Sequence, residues 1–583
     1  MKQFLKIALA AAVGVIAASL LVTMCSISLV SSLATAGKTQ PDLPKSGVLT
    51  IDMSKITLSE QSEEVNPLSY VSSQVPQTTP VGLWDAVQAI NAAATDPAVK
   101  FIYLKTDGLG SSVAATSELR ASLDKFRACG KAVVAYMENP GTLSYYLASV
   151  ADKVYMTSHT GGTYTMTGVG SQMFFLGDLL DKLGIHVQLI RHGKYKSAGE
   201  MYVRSEPSPE NREQYQQMVN SLWDSMSAQI CTSRGICRES LDGLIDGLKL
   251  ALPQDWLDAG LVDGLLTRDS LMCRLAALSV VDSYSDVKKI SLPDYIDARV
   301  VAGKARQKIA VIYADGQIVD GALRQEVAGD RFAAQIEKVR ADSSVKAVVL
   351  RVNSPGGSVV ASEKIKRELD LLKAQKPLVA SYGDYAASGG YWISNNADKI
   401  FSSAVTLTGS IGVFGMVPDV SKALKDVAHV GVASIGSHKH SDIYSMMRPL
   451  DKDENAYMLR SIEDIYDTFT SIVAEGRSMD KADVDAIGQG RVWTGADALR
   501  IGLVDEIGTL EDAINYAALC AGDSDLTHWS VKGYPRPLSA MEEVMMTLSN
   551  VEDPDEAVLC RVFGKIQEPR IEARMPYELR LVF

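Results

Sequence analysis

The sequence repeats itself, and nothing else in it limits the possible folds so strongly. Residues Lys100–Val154 align without a gap onto Lys346–Ile400 at an offset of 246, with 15 of 55 positions identical, where composition alone gives roughly three or four. Val113/Val359, Leu123/Leu369, Tyr145/Tyr391 and the triplet Ala151-Asp152-Lys153/Ala397-Asp398-Lys399 are among the identities. With small gaps the pairing continues through Glu210-Asn211/Glu454-Asn455 to Gly260-Leu261-Val262-Asp263/Gly502-Leu503-Val504-Asp505. The chain is a tandem duplication. Its repeats are expected at 46–282 and 309–529, joined by a linker at 283–308 around Pro293 and followed by a tail, 530–583, without counterpart or assigned role.

Each repeat opens on an apolar, β-branched run, Val48–Met53 or Ile309–Tyr313, which reads as a strand. A second run (Phe101–Leu104 or Ala347–Val352) leads through a glycine-containing turn into a helical stretch, Ala361–Lys373 in the second copy. A third run follows, Ala132–Tyr136 or Leu378–Tyr382. This alternation predicts an α/β fold of tandem βαβ domains, each with a largely parallel sheet. Helical periodicity returns at Glu210–Ile230 and Glu454–Glu475.

Charge and composition exclude several classes. Lys+Arg 58 against Asp+Glu 70 gives a net charge of −12, so no basic surface is offered to nucleic acid. The 46% hydrophobic content is that of a packed chain and not of a disordered one. Seven scattered cysteines form no C-x-x-C pair and have no histidine at zinc-ligand spacing, so no metal is expected. They read as separate buried thiols, with a Cys231–Cys237 bridge open in an oxidising compartment. Ile7–Leu33 carries no charged residue. At about 1.5 Å per residue, this stretch is long enough for the roughly 30 Å hydrocarbon core. An uncleaved single-pass anchor over residues 1–38 is expected, with Lys2 and Lys6 on the inner side and the rest of the chain outside the cytoplasm. A cleavable leader ending at Ala34-Thr35-Ala36 is the competing reading.

Differences between the copies at turns carry more chemical information than their shared strands. Where the first copy has Asp107-Gly108-Leu109-Gly110-Ser111, the second has Asn353-Ser354-Pro355-Gly356-Gly357, and paired glycines at a strand end let backbone N–H groups face a ligand. Ser388 stands between small residues in Tyr385-Ala386-Ala387-Ser388-Gly389-Gly390-Tyr391-Trp392, against Thr142-Leu143-Ser144 in the first copy. A serine hydroxyl needs a base. None of the seven histidines stands in a local pattern that pairs it with an acid and this serine. A desolvated lysine is the other possibility, in Gly193-Lys194-Tyr195-Lys196-Ser197-Ala198, where Lys196 aligns with His440. From the residues alone, a solvated lysine and a base both stand open.

Taken with Leu407-Thr408-Gly409-Ser410-Ile411-Gly412-Val413, these motifs, their order, the duplication and the N-terminal segment resemble the signal peptide peptidase A (protease IV) family in its long, two-repeat bacterial form. The resemblance runs from the anchor to about residue 520. It implies a Clp protease/crotonase-like fold and a serine protease with a Ser/Lys dyad and no cofactor. Carried over, Ser388 is the nucleophile, Lys196 the general base, Ser410 the lysine's support, and Gly356, Gly357 and Gly389 the oxyanion donors. It also implies released signal peptides and other exposed hydrophobic segments as substrates, a homotetramer, and a site on the periplasmic side of the inner membrane. The competing functions are a peptide-binding membrane scaffold without activity and a crotonase-type acyl-CoA enzyme.

Overall fold

The computed structural model describes residues 43–62, 78–300, 305–323, 326–537 and 571–575, with a few isolated positions besides. The expected anchor lies outside the described residues. No helix among the described residues is long and apolar enough to cross a membrane.

Each repeat is built on its own sheet. In the first, the strands run in the order Lys289–Ser291, Gly47–Asp52, Val99–Lys105, Val133–Met137, Lys153–Thr157, Gly264–Leu266, every neighbouring pair parallel. In the second, Ser530–Tyr534, Lys308–Asp315, Val345–Ser354, Leu378–Ala387 and Lys399–Ser402 repeat that parallel order. Leu407–Gly409 continues the path, and Val492–Thr494 closes it antiparallel. The strands are near-continuous apolar runs because helices cover the sheets. In Lys308–Asp315 all six residues from Ile309 to Ala314 are buried.

Identities between the copies coincide with matched structural contacts. The Asp152 carboxylate accepts from the Val133 N–H as Asp398 does from Leu378, each at 2.8 Å. Asp263 and Asp505 receive the N–H groups of Val154 and Ile400 in the same way. The Tyr145 hydroxyl donates to the Leu261 carbonyl at 2.6 Å, and Tyr391 to Leu503 at 2.8 Å. Each copy also has a 26-residue helix, Pro209–Arg234 or Lys452–Arg477. Ser208 caps the first with Pro209 behind it, and an Asp451/Glu454 capping box starts the second.

The ends of the repeats hold more structure than the sequence suggests. Within 283–308, Lys289–Ser291 is the edge strand of the first sheet and Leu292–Arg299 a helix packed beside it. At the start of the tail, Ser530–Tyr534 takes the equivalent edge of the second sheet. Further on, Ile571–Arg574 is a strand in a third sheet. The thiols differ from expectation too: Cys129, Cys237, Cys273 and Cys520 are exposed and Cys231 half-buried, all unbridged.

Among the contacts that join the repeats, three bear on the site or its docking. The first-repeat strand His186–His192 leaves its own sheet and pairs antiparallel with Val413–Asp419 over seven residue pairs. The helix Pro209–Arg234 docks on Val492–Thr494, with Gln214 Oε1 accepting the Val492 N–H at 2.8 Å and Ser221 and Thr494 hydroxyls 2.6 Å apart. Arg351, 1% exposed, is held by first-repeat Glu60 at 2.7 Å and Glu118 at 2.6 Å. Burial alone works against the Arg351 charge, but the two carboxylates outweigh it and hold its pKa above the usual arginine value.

Candidate active site

Ser388 ends the strand Leu378–Ala387 and precedes the helix Gly389–Ser394. Its backbone has φ 55° and ψ −114°, a region that side-chain-bearing residues seldom enter and that clusters at functional sites. The turn is held by the Ser388 N–H donating to the Gly409 carbonyl at 2.8 Å and by Trp392 N–H donating back to the Ser388 carbonyl at 2.8 Å. The small neighbours are required by space. A Cβ on Gly389 would stand 2.8 Å from Ser362 Oγ, 3.1 Å from Gly356 Cα and 3.1 Å from Gly357 N, and one on Gly390 2.7 Å from the Ser354 carbonyl. The three glycines expected to act together therefore do lie together. Gly356 spends its own N–H on Ser354 Oγ at 3.2 Å.

Lys196 comes to this turn from the other repeat. It follows the strand His186–His192, which carries the chain across to Val413–Asp419. Its Nζ lies 2.9 Å from Ser388 Oγ, 3.0 Å from Ser410 Oγ and 3.1 Å from the Ser410 carbonyl. Lys196, Ser388 and Ser410 are all fully buried. Ser410 is itself a positive-φ residue (49°), fixed by its N–H donating to the Arg491 carbonyl at 2.7 Å. An amine within hydrogen-bond reach of a hydroxyl can exchange a proton with it.

The backbone of Lys196 rests on a glycine that sequence reasoning passed over. A Cβ on Gly490 would stand 2.5 Å from Lys196 Cβ and 2.6 Å from its N. Gly490 also has φ 79°, so two constraints select glycine there. The N–H of Tyr195 donates to the Gln489 carbonyl at 2.9 Å. Arg491 lies 4.5 Å over the Tyr195 ring and 4.6 Å over that of Trp493. The only sequence signal was a short glycine-containing turn, Gly488-Gln489-Gly490, far from any motif. His440, the aligned counterpart of Lys196, is partly exposed, and its Nδ1 lies 2.8 Å from Glu454 Oε1.

A strand from the far end of the chain lies in the same place. Ile571–Arg574 runs antiparallel to Gly356–Ser358 on one side, pairing Gly356 with Arg574, and antiparallel to Phe414 and Gly415 on the other. Met575 N–H donates to the Pro355 carbonyl at 2.8 Å, and Met575 is 1% exposed, within the apolar cluster that includes Ala387, Leu407 and Val492.

A duplicated α/β protein whose buried serine and lysine meet across its two halves has the parts of a hydrolase acting through a serine. The sequence matches Peptidase family S49 over 125–282 and again over 370–522. It is 34% identical over 505 residues to "Protease 4" of Haemophilus influenzae, covering 83% of this chain and 81% of that protein. It is 36% identical over 478 residues to "Protease 4" of Salmonella typhi, covering 80% and 76%. With "Serine protease SPPA, chloroplastic" of Arabidopsis thaliana it shares 31% over 443 residues, covering 73% and 64%. The chain belongs to peptidase family S49, with the family's domain present twice, and is a serine protease.

Proposed function

We propose that the chain is an endopeptidase working through a Ser388/Lys196 dyad on exposed, extended, apolar peptides, released signal peptides among them. The observation that carries this reading is the 2.9 Å approach of Lys196 Nζ to Ser388 Oγ, both fully buried. An ordinary lysine is an ammonium at neutral pH. Burial penalises that charged form, which leaves a neutral amine to take the Ser388 proton as the hydroxyl attacks the scissile carbonyl. Ser410 supplies the oxygens that hold the amine in line. Gly357 and Gly389, with Gly356 beside them, line the side on which the tetrahedral oxyanion forms, and backbone N–H donors there stabilise the developing charge. The lysine ammonium then protonates the leaving amine, and a water activated by the same amine releases the acyl group. Neither step calls for a cofactor.

The substrate class rests on the groove. A peptide extended between Gly356–Ser358 and Val413–Asp419 would add a strand to both, as Ile571–Arg574 does, and such backbone pairing favours unstructured segments over folded ones. The burial of Met575 next to this site supports an apolar side chain beside the scissile bond. In this reading residues 1–38 anchor the protease to the inner membrane and the two repeats lie on its periplasmic face, where released signal peptides are met, as a homotetramer. Incubating the detergent-solubilised protein with a signal-sequence-like peptide and reading the fragments by mass spectrometry tests this. Internal cuts by the wild type and none by Ser388→Ala support the reading, and equal cutting by both would end it.

A further inference from the structure

Lys196 is held by its main chain as well as by its amine. Arg191, on the strand that crosses between the repeats, places Nη1 2.7 Å from the Lys196 carbonyl oxygen. The same Nη1 is 3.0 Å from Glu200 Oε1. Glu200 is 1% exposed, and a carboxylate buried to that extent needs partners. Besides Arg191 it accepts from the Ser208 hydroxyl at 2.7 Å, the Ser208 N–H at 3.1 Å and Asn211 Nδ2 at 3.1 Å. Ser208 is the N-cap of the helix Pro209–Arg234, which docks on Val492–Thr494 in the second repeat. A line of contacts thus runs from the docked helix through Glu200 and Arg191 to the main chain of Lys196.

The second copy lacks this pair. In the register that aligns Lys196 with His440, Arg191 and Glu200 fall on Ile435 and Tyr444, which are 98% and 53% exposed. An ion pair kept only for folding the repeat would have reason to occur in both copies. This one occurs in the copy whose segment delivers a buried lysine to a serine.

We propose that Arg191 and Glu200 are positioning residues for the dyad: the ion pair fixes the Lys196 carbonyl, and through it the amine, against Ser388. The proposal rests on the dyad reading above. Neither side chain takes the serine proton. The carboxylate already accepts from four donor hydrogens, and the guanidinium is engaged with the Lys196 carbonyl and Glu200.

The test uses the full-length protein and an apolar fluorogenic peptide, with kcat, KM and melting temperature measured for Glu200→Gln, Arg191→Met, Arg191→Lys, Lys196→Met and the Glu200→Gln/Arg191→Met pair. A small misplacement of a reacting group costs about a hundredfold in rate. Glu200→Gln and Arg191→Met should each lower kcat by about that factor, with KM unchanged and with a loss that does not follow melting temperature across the set. Arg191→Lys, which can still donate to the carbonyl, should regain part of the loss. The double variant should be no slower than the slower single one, since both break one line of contacts. Wild-type kcat in Arg191→Met, or a loss that appears only in KM, overturns the proposal. So does a kcat loss that Arg191→Lys leaves unrelieved and that follows melting temperature across the set, because that is the behaviour of a purely structural pair. Arg191 is partly exposed, so its variants keep the question answerable if Glu200→Gln does not fold. An active Lys196→Met would sink the dyad reading itself. An inactive Lys196→Met beside fully active Arg191 and Glu200 variants would sink only the positioning role.

Discussion

At the scale of single residues, the account turns on three side chains and one missing one. Lys196→Met fills nearly the same volume without an amine, and should lower kcat by about 10²–10⁴, the usual contribution of a general base, with the fold intact by circular dichroism. In the proposed dyad the lysine acts only as the neutral amine, so kcat should fall on acidification and rise to a plateau on the alkaline side, a sign that a pH–rate profile checks. Gly490→Ala should be inactive as well, because the added methyl would stand 2.5 Å from Lys196 Cβ. His440→Ala should leave turnover unchanged, since its ring is engaged with Glu454. Ser388, Lys196 and the glycines stood out in the sequence because each lies where the two copies differ, though their roles came only with the family resemblance. Gly490, Arg191 and Glu200 were not, since what selects them is contact with residues remote in sequence or the closing of a loop, and neither leaves a local pattern.

At the scale of elements, the strands His186–His192 and Ile571–Arg574 matter most, and both were invisible in the repeat alignment. The first is a strand only because Val413–Asp419 offers it an edge. Its counterpart in the second copy, 430–436 in the register that aligns Lys196 with His440, forms no strand and is exposed. The βαβ units and parallel order, by contrast, could be read directly, because continuous apolar runs at an offset of 246 fix them. The edge strands Lys289–Ser291 and Ser530–Tyr534 escaped notice because an edge is set by backbone pairing more than by side-chain identity. The strand Ile571–Arg574 occupies the groove proposed for substrate, so the two should compete. A chain ending at residue 570 should cleave peptides with a higher kcat/KM than the full chain, most clearly through a lower KM. Equal kinetics for the two would show that the strand leaves the groove freely.

At the scale of the whole molecule, the proposed dyad leaves neither repeat with a complete site. In that reading the first brings the lysine and the second the serine, which lie 2.9 Å apart, so activity depends on how the two halves are docked. Arg351 with Glu60 and Glu118 is the buried ionic part of that docking, and removing one partner of such a cluster typically costs about 3–5 kcal/mol. Glu118→Gln should therefore lower the melting temperature and, with it, activity at physiological temperature, although Glu118 does not touch Ser388 or Lys196 among its hydrogen bonds. The most direct test of the central claim, that one chain contributes both halves of its own site, is a cleavage assay on four preparations. These are the wild type, Lys196→Met, Ser388→Ala, and the two variants produced together in one cell and purified as mixed assemblies through different tags. The account predicts cutting by the wild type alone, since every chain in the mixture lacks one half of its own site. Cutting by Lys196→Met, or restored cutting by the mixed assemblies, would contradict it.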